Sequence, residues 1–191
     1  LWDKTRDTFG VRGMVALDAS AVFLNVNRPG LATLADLRDS DRIALPAVKV
    51  SHQAVLLQMA AARAYGPAQY DRFDKLTVTM AHPDAYIALL SGRTEITGHF
   101  GNSPFIYQEL GDPRIHRLLS SQDIIGGLGT VTSVFTTAKL RNDNPKIYRA
   151  VFDALQEAQA LIAQHKDWAA QIYVAEEKGP LSADAIRKLL E

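Results

Sequence analysis

The sequence predicts an α/β fold with a mainly parallel sheet, and three observations carry that prediction. Short apolar or β-branched runs alternate with runs of helical period, three such strand-then-helix units follow one another with short connections, and beyond residue 137 the pattern is wholly helical. Parallel neighbours need a crossover long enough to hold a helix, which each unit supplies. Such crossovers are expected to be right-handed.

Taken in order, residues 11–17 and 21–26 are expected strands, separated by Asp18-Ala19-Ser20 and closed by Asn27-Arg28-Pro29-Gly30. Thr33 caps a single expected turn, and residues 42–46 form a strand stopped by Pro46. Ser51 is the expected cap of a helix over residues 52–65, with Val55, Leu56, Met59, Ala60 and Arg63 at helical spacing and Gly66-Pro67 as its stop. Residues 76–80 read as a strand and His82-Pro83-Asp84 as a turn with proline suited to the first helical position. Residues 85–91 then form a short helix closed by Gly92. A strand over residues 95–100, a cap at Asn102 or Ser103, a helix over residues 105–110 and a strand over residues 114–120 complete the alternation.

Gly126-Gly127 is expected as a joint between two halves, and residues 130–137 have strand composition and the length to reach beyond one lobe. Asn144-Pro145 starts a helix whose Ile147, Val151, Leu155, Ala158, Leu161 and Ile162 lay down an apolar stripe. Two further helices are expected over residues 168–175 and 182–190.

The chain has 191 residues, 21 Lys+Arg against 21 Asp+Glu, 47% hydrophobic residues and no cysteine. That suits one ordinary domain or two small ones with a sizeable core. Disulfide scaffolds, thiol nucleophiles and cysteine-held zinc or iron-sulfur sites are excluded outright. Balanced charge offers no general attraction to nucleic acid or anionic lipid. No run reaches the roughly 18 to 20 apolar residues of a membrane-spanning helix, so direct membrane insertion is not expected. Leu1 stands where an initiator methionine would be, and the opening reads as a cut rather than a start.

In an open parallel sheet, ligands sit at the carboxyl ends of the strands, where helix N-termini present free N–H groups. The search narrows to residues 47–52, 81–84 and 99–103, each with one histidine. His52, His82 and His99 are expected to line one rim with Ser51, Gln53, Asp84, Asn102 and Ser103, and Phe100 to offer an aromatic face, while His116 and His165 are structural. Converging histidines suit a metal, an organic ligand held by hydrogen bonds, or ordinary packing, and the spacing decides among none of these. No serine elbow, P-loop or pair of catalytic carboxylates is present. Nor do two histidines stand three to five residues apart, as a metal site on one element would show, and no catalytic residue, metal ligand or cofactor is expected.

The segment Leu34-Ala35-Asp36-Leu37 through Arg42-Ile43-Ala44-Leu45-Pro46 resembles the substrate-binding proteins of ABC transporters, of the nitrate, sulfonate and taurine type. Ser51-His52-Gln53 with its Ala/Leu helix, residues 85–100, residues 137–158 and residues 168–173 resemble further pieces of that family in the same order. The resemblance implies a type II periplasmic binding protein, two α/β lobes joined by hinge strands with the ligand between them, in a chain that lacks part of the first lobe. It implies a remnant of that lobe and a first hinge strand over residues 1–26, the second lobe over residues 27–130, and a return hinge strand with C-terminal helices over residues 131–191. The crossing segments would be residues 22–26 and 131–137.

The resemblance carries ligand contact to Ser51, His52, His99 and Phe100, with His82 and Asn102 beside them and Trp2 and Asp18 from the first-lobe side. Glu95 stands where the family has aspartate. A periplasmic protein is implied, with a small-molecule ligand and an inner-membrane ABC permease as partners, no nucleic acid, and no chemistry of its own. The alternative is an enzyme on the same fold that resembles pyrimidine-precursor synthases and uses the histidine rim, although their cysteine-rich signature is absent.

Overall fold

The computed structural model describes residues 2–177 and 181–190, with side chains from Lys4 onward. In chain order the first elements are α1 (Trp2–Thr5), β1 (Arg12–Ala16), β2 (Phe23–Val26), β3 (Ile43–Leu45), α2 (His52–Tyr65), β4 (Thr77–Thr79), α3 (His82–Ser91), β5 (Gly98–Gly101), α4 (Phe105–Glu109) and β6 (His116–Ser120). There follow α5 (Ser121–Ile125), β7 (Ser133–Thr136), α6 (Ala138–Asp143), α7 (Pro145–Gln164), α8 (Lys166–Glu177) and α9 (Ala183–Leu189). The chain divides into two compact units, residues 1–18 with 132–191, and residues 19–131.

The second unit is built on a five-stranded sheet of order β4-β3-β5-β2-β6. β3 runs parallel to β4 and to β5, with Ile43 opposite Thr77 and Gly98. β2 lies antiparallel to β5 and β6, so four strands share a direction and β2 opposes them. The three expected β-α units are present as β3-α2-β4, β4-α3-β5 and β5-α4-β6.

Strand alternation sorts the core onto two faces. Val22, Leu24, Val26, Ile43, Leu45 and Phe100 pack with Leu56 and Leu57 of α2. On the other face Ala44 packs with Ala85 and Leu89 of α3, and Phe23 packs with Ile106 of α4.

Several boundaries depart from the sequence reading for identifiable reasons. Residues 19–26, grouped there with the first lobe, belong to the second unit, because β2 is hydrogen-bonded on both edges within its sheet. The chain passes between units at 18/19 and 131/132. In α2 the buried residues are Gln53, Ala54, Leu56, Leu57, Ala60 and Ala61, while Val55 and Met59 are exposed. The face turns by about one residue from the expected stripe, because a helix this rich in Ala and Leu has apolar periodicity on more than one side.

α3 starts at His82 itself, one step before Pro83, and closes on Gly92 in the left-handed region at φ 59°. β5 starts at Gly98, leaving Glu95 in an exposed loop at the strand's amino end, away from the ligand edge. Neither Asn102 nor Ser103 caps α4, whose cap residue is Pro104 after a cis Ser103–Pro104 bond. Gly126 closes a helix absent from the sequence reading, α5, at φ 86°.

In the first unit β1 pairs antiparallel with β7. α7 starts at Pro145 as expected, yet Ile147, Val151, Leu161 and Ile162 of its apolar stripe are exposed. Leu161, Ile162, Trp168, Ile172 and Ile186 line an apolar groove of about 390 Å³ in this unit. Apart from Asp18, the polar groups that follow lie in the other unit.

Candidate functional site

Three segments of the second unit bring chemistry-bearing side chains to the carboxyl ends of its parallel strands. The loop after β3 ends at Ser51, whose Oγ accepts a 3.2 Å hydrogen bond from the Ala54 N–H and so caps α2. The next turn places Gln53 against the core and leaves His52 exposed. β4 leads into α3, where Pro83 at the first turn fixes the helix start and carries His82 with it. β5 contributes His99, fully buried on the face opposite Phe100.

These groups form one continuous relay. The Gln53 amide nitrogen lies 3.4 Å from His82 Nε2, His82 Nδ1 lies 2.8 Å from His99 Nε2, and His99 Nδ1 lies 2.5 Å from Glu109 Oε1. Asn25 donates from Nδ2 to Glu109 Oε2 at 2.8 Å and to the Ile106 carbonyl at 2.9 Å. Asn25, His99 and Glu109 are completely buried, and His82 alone of the relay histidines reaches the half-exposed rim.

The His82 ring stacks on Phe105 at 6.1 Å between centroids, and Phe105 in turn contacts the Tyr86 ring. Burial, aided by the neighbouring charge of His99, lowers the His82 pKa to about 4. Burial first, and then the Glu109 carboxylate, raises the Tyr86 hydroxyl above its ordinary value. Gly101 makes room for the relay, because a Cβ built on it would meet His99 Cε1 at 2.6 Å.

The structure thus brings His82 and His99 together and sets Ser51 and Asn102 in the loops of the same strand edge, Asn102 half-buried with its carbonyl accepting from the Ile106 N–H at 3.3 Å. It does not bring His52 into the relay, which runs through its neighbour Gln53. Two other expected contacts are corrected. Phe100 is buried in the core with Leu24 and Ile43, and so has no face for a ligand. His99 is enclosed between His82 and Glu109, and acts on the rim only through His82. Asp18 belongs to the first unit, where its Oδ1 accepts from the Thr132 N–H at 2.9 Å. The Trp2 side chain lies outside the described residues.

Glu109 and Asn25 were missed by sequence reasoning. Glu109 sits in a short run that reads as a surface helix. Asn25 did carry a signal, since an amide inside the apolar run Ala21-Val22-Phe23-Leu24-Asn25-Val26 must find a buried partner. Among the described residues no group of three or more His, Asp or Glu side chains has an arrangement suited to a metal ion. In the relay the histidine and carboxylate atoms face one another rather than a common centre.

No protein-family model matches the chain, and no curated protein matches it by sequence. Solved structures do. The periplasmic aliphatic sulphonate binding protein SsuA from Escherichia coli superposes with TM-score 0.69 at 18% identity, over 94% of this chain and 55% of that one. The alkanesulfonate-binding protein SsuA from Xanthomonas axonopodis pv. citri, bound to MOPS, gives 0.67 at 15% identity over 90% and 55%. A ligand binding component of an ABC-type import system from Staphylococcus aureus with zinc bound gives 0.58 at 14% identity over 98% and 61%. At these identities the likeness is one of fold. The chain has the α/β fold of these binding proteins, the fold anticipated from its sequence, and spans 55% of the length of the first two.

Proposed function

We propose that this chain is the ligand-binding component of an ABC importer, and that the rim around Ser51, His82 and Asn102 meets the charged end of a small polar or anionic organic solute. The observation that carries this reading is the His82–His99 pair at the carboxyl edge of the parallel strands, within a fold shared with sulfonate-binding proteins. α2 and α3 both begin at that edge, and the positive ends of their dipoles favour an anion beside His82. The role is capture rather than turnover. An inner-membrane permease would receive the solute from the periplasm, and ligand contacts made better in a closed arrangement would drive closure.

The test is a thermal-shift and native mass spectrometry survey of the full chain against short alkanesulfonates, carboxylates and neutral heterocycles. A ligand held at about 100 times its Kd stabilises the native state by about 2.7 kcal/mol, a shift easily read. The expected result is stabilisation by an anionic compound, lost in His82→Ala while the variant stays folded. Stabilisation by none of the panel, with chemical turnover of any member, would end this reading.

A further inference from the structure

The relay behind His82 has a direction that its hydrogen bonds define. Asn25 Nδ2 faces the Ile106 carbonyl, which only accepts, so that atom is the amino group and the orientation of the amide is settled. The same amino group therefore donates to Glu109 Oε2, and His99 Nδ1 donates to Oε1, leaving both carboxylate oxygens as acceptors. A carboxylate enclosed at zero exposure needs a countercharge, and His99 is the group in contact that can carry one.

That pairing would make His99 the imidazolium, protonated on both nitrogens, with its Nε2–H donating to His82 Nδ1 across the 2.8 Å contact. A neutral His82 that accepts at Nδ1 keeps its one proton on Nε2. With a proton on Nε2, the Gln53 amide beside that nitrogen would have to present its oxygen in place of the nitrogen that lies there, the two ends of an amide being alike in shape.

We propose that Asn25, Glu109 and His99 are positioning residues that hold His82 as the Nε2–H tautomer, so that the rim offers a neutral, fixed donor to an anionic oxygen. The opposite tautomer, with His99 neutral and protonated on Nδ1 alone, would make His99 Nε2 an acceptor and force His82 to donate inward from Nδ1, presenting a lone pair where an anion would bind. The Glu109 carboxylate excludes it by requiring a cationic His99. The side chains that set the choice come from β2, β5 and α4, which is why the donor at α3 depends on residues far apart in sequence. His82 stays uncharged through the neutral range because burial and His99 hold its pKa near 4. The ligand half of this proposal rests on the solute-binding reading, and the tautomer half stands without it.

The experiment is a long-range imidazole ¹H–¹⁵N correlation spectrum of the full chain at pH 7, followed through a titration with ethanesulfonate. Wild type is expected to show His82 protonated at Nε2 alone and His99 at both nitrogens, with the His82 Nε2–H signal moving as ethanesulfonate is added. In Glu109→Gln the side-chain oxygen must face Asn25 Nδ2 and the amino group His99 Nδ1, so His99 is expected to lose its Nδ1 proton and keep the one on Nε2 while the His82 proton stays on Nε2. A His82 proton moved to Nδ1 in this variant would overturn the relay. A His82 proton on Nδ1 in the unliganded wild type overturns the relay whatever the chain binds, and needs no variant to fold. The expected wild-type tautomers with no response to ethanesulfonate or acetate support the relay and overturn the donor role, and with it the anion in the functional reading.

Discussion

His82 Nδ1 lies 2.8 Å from His99 Nε2, and this contact joins the first residue of a helix to the middle of a buried strand. It makes a rim group answer to groups that never reach solvent. The imidazole that faces outward has its protonation governed by a Glu and an Asn on the far side of a second ring.

The first consequence is a pH dependence of stability. His82 titrates near 4 in the folded chain, against an ordinary value of 6.5 when unfolded, because burial and His99 disfavour its charged form. Between those values the unfolded chain binds a proton that the native state refuses, so stability is complete above about pH 7 and falls as pH drops toward 4. At about 1.4 kcal/mol per pH unit, this one group accounts for up to about 2 kcal/mol lost between pH 7 and pH 5. His99 and Gln53 face the ring directly, with Glu109 behind His99 and Phe105 stacked on it, so the change belongs to His82 only if it disappears with that residue. Urea unfolding at both pH values, in wild type and His82→Gln, is expected to show the larger loss in wild type. Equal losses would refute the assignment.

Gly101 tests the packing of the relay. A methyl group there would sit 2.6 Å from His99 Cε1 and 3.0 Å from Nε2, against a ring held on both sides by hydrogen bonds. Gly101→Ala is expected to cost about 1 to 3 kcal/mol, as overpacking of a filled core does, and to shift the His82 ring resonances. Gly13, with nothing within 4 Å of the equivalent position, is the control, and Gly13→Ala should stay within about 0.5 kcal/mol of wild type. Equilibrium unfolding of both variants decides, and similar values would show that the His99 ring moves freely.

The order of elements and the ends of α2 were legible in the sequence because caps and breakers act locally: Ser51, Gly66, Pro83 and Gly92 do where they stand what their chemistry dictates. The sequence placed His82 and His99 at one edge with His52 because parallel strands deliver their carboxyl ends there, but not their direct contact, the burial of His99 or the absence of His52 from the relay. Phe100 misled because successive residues of a strand point to opposite faces, so His99 and Phe100 could not both serve the site. Glu109 was hidden by distance. Its partners lie 10 and 84 residues away in sequence, and nothing in its own segment distinguishes it from a solvated acid.

Asp41 anchors the loop between β2 and β3. Buried to 1% exposure, it accepts two bonds from the Arg28 guanidinium, at 2.9 and 3.0 Å, and one from the Arg38 N–H at 2.7 Å. Burial alone would raise its pKa, but the Arg28 and Arg38 bonds outweigh it and the carboxyl lies below its ordinary value. Its contribution is therefore present above about pH 4, the unfolded value, and is lost as pH falls through the lower folded one. Asp41→Ala strands the Arg28 charge and is expected to cost about 3 kcal/mol at pH 7, the lower end for a broken buried pair, because Arg28 keeps some access to water. Chemical denaturation at pH 7 and pH 3 should show the gap between wild type and variant narrowing at the lower pH. A gap that widens would mean the pair does not act through its charge.

The corrected face of α2 yields a comparison within one helix. Leu57 is 1% exposed and packs with Leu24 and Phe100, whereas Met59, two residues on, is 43% exposed. Truncating Leu57 removes buried methyl groups and leaves a cavity that the sheet cannot fill, so Leu57→Ala is expected to cost about 2 to 4 kcal/mol. Met59→Ala removes surface already in contact with water and substitutes the best helix former, so its effect should fall within about 0.5 kcal/mol of zero. The pair separates the observed face from the one expected from periodicity, on which Met59 is buried. Denaturant midpoints of the two variants measured together give the answer, and a Met59→Ala loss as large as that of Leu57→Ala would restore the expected face.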